Sequence, residues 1–100
     1  MPREPSSAAG WVLLQTLVDS SGWPAVLAMA GRPAFPAELA EREAVRLRNQ
    51  YGARVLRAQG GRLWVRPAEP GVTAWAAELD ERVTQTSAAL ERQLEASRYG

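Results

Sequence analysis

One hundred residues with 46% apolar content are enough for a single small domain around one modest core. The chain has no His, no Cys and no Lys, and all twelve of its basic residues are Arg. Those absences exclude an imidazole base, a thiolate nucleophile or metal ligand, a disulfide framework and a lysine Schiff base, so the composition argues against catalysis. The net charge of +1 conceals a segregation, because residues 44–68 carry six Arg and no acid between two acidic flanks.

Residues 1–10 are rich in Pro, Ser, Ala and Gly and read as a flexible arm ahead of a single domain over 11–100. They lack the basic-then-apolar pattern of a signal peptide, and apolar runs such as Trp11 to Leu14 are far too short to span a membrane. The expected compartment is the cytoplasm, with no membrane partner. Trp11 to Val18 reads as a helix, because Leu14, Leu17 and Val18 repeat at helical spacing. The same run tolerates a buried strand, which would add a third strand to the hairpin described below.

Asp19 to Gly22 is a turn, and a short second helix follows over Ala25 to Ala30, ended by Gly31. Pro36 opens the third helix. Its acids (Glu38, Glu41, Glu43) come first and its Arg46 and Arg48 come last, the order that suits a helix dipole. Ala40, Ala44, Leu47 and Tyr51 form its buried stripe, Phe35 is placed to staple onto Leu39 or Ala40, and Gly52 ends it.

Gly60-Gly61 between two short apolar runs predicts a β-hairpin with a two-residue turn. Pairing Gln59 with Arg62 sets Ala58 against Leu63, Arg57 against Trp64 and Leu56 against Val65. Leu56, Ala58, Leu63 and Val65 then face the core, and Val55, Arg57, Trp64 and Arg66 face outward. Pro67 and Pro70-Gly71 end the hairpin. A long helix over 73–98 follows, with Thr73 as its N-cap, long enough to project beyond a compact domain.

The expected fold is therefore α+β: three N-terminal helices, a β-hairpin and a long C-terminal helix. At the level of fold alone, that order resembles a winged helix-turn-helix. No catalytic residue, metal site or cofactor site is expected. Glu38 with Glu41, Asp80 with Glu81, and Ser20 with Ser21 read as dipole complements, surface charges and caps.

Two functions are carried forward. In the first, the chain binds nucleic acid through its basic hairpin. Arg46, Arg48, Arg54, Arg57, Arg62 and Arg66 contact phosphates, and Trp64 stacks on bases. The acids at the start of the third helix oppose this, and Arg57 stacked on Trp64 as edge protection is the purely structural account. In the second, the chain is an assembly or adaptor component of a virion or regulatory complex. It then meets a protein partner or a second copy through the arm, the Trp-bearing hairpin face and the last helix, where Leu79, Val83, Leu90 and Leu94 approximate a heptad seam.

Overall fold

The architecture follows from where the chain switches hydrophobic period. In the computed structural model, which describes residues 9–99, the elements in chain order are strand β1 (Val12–Leu13), helix α1 (Leu14–Ser20), helix α2 (Trp23–Met29), helix α3 (Pro36–Tyr51), strand β2 (Leu56–Arg57), strand β3 (Leu63–Val65) and helix α4 (Pro70–Tyr99). The fold is α+β as expected, with N-terminal helices, a small antiparallel sheet and a long C-terminal helix. Most of the expected arm, residues 1–8, lies outside the described residues.

The run from Trp11 to Val18 is not one helix. Val12 and Leu13 pair antiparallel with Val65 and Trp64, and the helix begins only at Leu14. Both signals in the run are used, one after the other. Leu14 and Val18, one turn apart, are fully buried, while Val12 and Leu13 extend to complete a sheet in the order β1-β3-β2. α2 starts at Trp23, two residues ahead of expectation, with Pro24 in its first turn. The tight link before it is set by Gly22, whose φ of +86° is open to glycine at little cost, and by Ser21 Oγ, which accepts from the Trp23 N–H.

α3 is the centre of the core. Leu39, Ala40, Ala44 and Leu47 are buried on one stripe, and Gly52 ends the helix with a left-handed φ of +61° while the Ala53 N–H bonds the Leu47 carbonyl. The expected staple is not made: Phe35 is 74% exposed. From the other elements Leu14, Val18, Leu63, Val65, Val72, Trp75 and Leu79 close around this stripe.

The hairpin forms, but one residue out of the expected register. Leu56 pairs with Trp64 and Arg57 with Leu63, and the Ala58 N–H bonds the Arg62 carbonyl. The cause is the turn. Gln59, Gly60 and Gly61 together make the connection, with Gly60 and Gly61 left-handed at φ of +80° and +79°, so three residues rather than two connect the strands. A one-residue slip exchanges the faces of a strand. Val55, assigned outward, is buried, and Leu56, assigned to the core, is 39% exposed. Ala58, Leu63 and Val65 are buried as expected.

α4 begins at Pro70, three residues before the expected cap. Thr73 lies inside the first turn, where its hydroxyl donates to the Pro67 and Glu69 carbonyls. Val72, Trp75 and Leu79 bury the first part of the helix, whereas residues 91–98 are exposed throughout. Thirty residues make a rod of about 45 Å. This matches a radius of gyration of 15.6 Å and a long axis of 57 Å against 26 and 24 Å across. Among the described residues no helix is long and apolar enough to cross a membrane.

The root of α4 fits closely. A Cβ on Gly71 would lie 2.6 Å from the Tyr51 carbonyl oxygen and 3.1 Å from the Ala53 Cβ. Alanine ordinarily favours a helix over glycine by about 0.5–1 kcal/mol. Here Gly71→Ala is expected to destabilise instead, by roughly 1–3 kcal/mol of overpacking against backbone that cannot rotate away. A urea midpoint that falls relative to wild type checks this, and one that rises refutes the close fit.

Candidate functional site

The basic segment lies on more than one face of the fold. Because Arg57 pairs with Leu63, it points toward α3 and not away from it. There its Nη1 and Nη2 donate to both carboxylate oxygens of Glu41, at 2.6 and 2.8 Å. The fork-to-carboxylate geometry is the strong form of this pair, although both side chains are about half exposed. Arg57 therefore neither stacks on Trp64 nor stands beside it.

Arg46 faces α4. Its Nη2 donates to Glu78 at 2.8 Å, and its Nη1 lies 3.5 Å from Glu43. Arg48 donates to the Val55 carbonyl, at 3.1 Å, and so ties the end of α3 to the chain entering β2. Arg54 is exposed, and its backbone N–H donates to the Glu69 carboxylate at 3.3 Å. Arg66 is exposed and covers the ring of Trp11, 4.8 Å from its centroid. Arg62 is exposed beside the turn and engaged in a contact of its own. Trp64 is half-buried on the middle strand, with an indole N–H that is shielded from solvent and meets no acceptor. Sequence spacing foresaw none of these partners, since Glu41 and Glu78 stand 16 and 32 residues away from the Arg they hold.

A buried carboxylate, beyond the role of dipole complement that the sequence suggests, ties three helices together. Glu43 is 4% exposed. Its Oε1 accepts from the indole N–H of Trp75 at 3.0 Å and lies 3.5 Å from Arg46 and 3.8 Å from Arg82. Arg82 in turn reaches Glu78 at 3.6 Å and sits 5.4 Å over the ring of Trp23. This cluster joins α2, α3 and α4, and its closed pairing suits structure and not chemistry. Among the described residues no group of three or more acidic, His or Cys side chains is gathered to hold a metal ion.

Two surface clefts lie beside residues of the expected sites. A groove of about 720 Å³ runs between Gln15 and Thr16 of α1, Glu38 and Glu41 of α3, and the Gly60-Gly61-Arg62 turn. Its rim mixes acids with Arg62 and offers no single charge to a ligand. The second is a smaller cleft of about 250 Å³ between the end of α2 and the outer part of α4, formed by Met29, Ala30, Leu90, Gln93, Leu94 and Ser97. Met29 and Leu94 are 64% and 61% exposed there. Of the four seam residues expected on the last helix, Leu79 is buried in the core, Val83 and Leu90 are half-buried, and Leu94 stands in solvent. The seam thus divides between the protein's own core and an open end. Met29 was absent from the expected site, because only the path of α4 brings it beside Leu90.

Compared with known proteins, the chain matches no family model, no curated protein and no solved structure.

The Arg57 pair has a pH signature. The hydrogen bond from Arg57 is the largest influence on the Glu41 carboxyl and holds it below its ordinary value; burial opposes it, and the charges of Arg57 and Arg48 add lesser lowering effects. A carboxyl depressed in the folded state stabilises the fold above its ordinary pKa, and that contribution is lost as pH falls through the depressed value. A carbon-13 NMR titration should find Glu41 titrating below the ordinary carboxyl value, and Arg57→Gln should raise it. An unshifted Glu41 in wild type would show that the pair does not persist in solution.

Proposed function

We propose that this chain is a non-enzymatic assembly or adaptor module that docks a protein surface on the outer end of α4. The observation that carries the reading is the apolar cleft at Met29, Leu90 and Leu94, with two large side chains more than half exposed on a helix that continues past the core. Adjacent exposed apolar side chains mark interaction sites more often than isolated ones do. A groove beside an amphipathic helix accepts another helix at i, i+4 anchors. The composition supports the reading from the other side, since it offers no His, Cys or Lys for catalysis. Placing a photo-crosslinking residue at Ser97 in the cells that make the protein should give a discrete protein adduct, and Met29→Glu should abolish it. No adduct, or the same adducts in both, would overturn the docking reading.

A second reading is nucleic-acid binding through the hairpin. What favours it is topology. A sheet in the order β1-β3-β2, with a hairpin directly after α3, resembles a winged helix-turn-helix, and Arg54, Arg62 and Arg66 are exposed along that hairpin. The Arg57–Glu41 pair is exposed enough for phosphate to compete with it. Against it stand Glu38 and Glu41 at the start of α3 and the engagement of Arg46 with α4. On this reading a mobility-shift assay with mixed DNA and RNA finds affinity that falls steeply as salt is raised. Arg54→Glu combined with Arg66→Glu should remove that binding, and an affinity untouched by the double change excludes the hairpin as its source.

A further inference from the structure

We infer that the surface docked on the end of α4 is a second copy of this chain, its own α4 lying antiparallel to the first. The inference rests on the docking reading and names its occupant. Its basis is the arrangement of charge around the apolar anchor. Glu91 and Arg98 are seven residues apart and so share one stripe of the helix, with Leu94 between them. Seven residues rise about 10.5 Å. A two-fold axis close to Leu94 therefore sets Glu91 of each copy level with Arg98 of the other, and the two Leu94 side chains meet at the centre.

An isologous contact repeats every pairing twice, so one complementary pair becomes two. The pairing of Glu78 and Arg82 contrasts with that of the outer charges. Glu78 and Arg82, over the body of the domain, are bound to one another and to α3, whereas Glu91 and Arg98 form no ion pair among the described residues. The opposite, parallel arrangement sets Glu91 against Glu91 and Arg98 against Arg98, and like charges repel. In the antiparallel arrangement the far end of the second helix runs toward Met29, which lines the same cleft as Leu94. A contact of a few helical turns lies at the low end of interface sizes, so the dimer is expected to be reversible.

Sedimentation of the full chain over a dilution series tests this, with circular dichroism to confirm that each variant is folded. Wild type should pass from dimer to monomer on dilution. Glu91→Arg alone and Arg98→Glu alone each convert two attractive pairs into repulsive ones, and each should raise the dissociation constant roughly ten-fold. The two changes together restore opposite charges and should recover dimerisation, whereas Leu94→Glu should abolish it. A wild type that stays monomeric, or a double variant no better than either single one, overturns the inference. If wild type is monomeric and the Ser97 adduct contains a different protein, the docking reading stands and this inference falls. If there is neither dimer nor adduct, both fall.

Discussion

The fold turns on one buried carboxylate. Glu43 sits in the core-facing stripe of α3 at a position where an apolar residue would continue the pattern. Burying a charge there is tolerated because the Trp75 indole donates to it and two guanidinium groups lie close by. Satisfying Glu43 requires α4 to approach α3 with Trp75 at this height, and Arg82 then falls over Trp23 of α2. An apolar contact alone would leave α4 free to slide along α3. The hydrogen bond fixes its register, and with it the distance by which α4 overruns the domain.

The same economy of charge explains why the basic segment does not form one surface. α3 carries acids at one end and Arg at the other, and the elements that pack on it use both. Arg57 of β2 takes Glu41, and Glu78 of α4 takes Arg46. A stretch with a high linear charge density thus becomes a set of local pairs once the chain is folded. Among the described residues, the exposed charges that lack such pairs include Glu91 and Arg98 on the outer part of α4, beside the exposed apolar side chains.

Legibility in the sequence followed how local each determinant is. α3 was readable almost to the residue, since its Pro, its graded charges, its apolar stripe and its terminal Gly all lie within the helix or at its very end. The presence of the hairpin was readable from Gly60-Gly61, but its register was not, because the same left-handed pair fits a two-residue turn and a three-residue one. That one residue decided which face Val55, Leu56 and Arg57 occupy. The first strand stood only as the alternative to a helix, because Val12 and Leu13 merge without punctuation into the helical spacing of Leu14 and Val18. The candidate site was the least readable part. The groups that hold Arg46 and Arg57, and the helix that brings Met29 into a cleft, all come from distant parts of the chain.

The brevity of the strands bears on how copies can meet. Both edge strands, β1 and β2, span only two residues, so neither offers a ladder long enough to template another strand. Arg48 already occupies the Val55 carbonyl just before β2. Edge-to-edge growth, the route from small sheets to insoluble fibres, is thereby blunted.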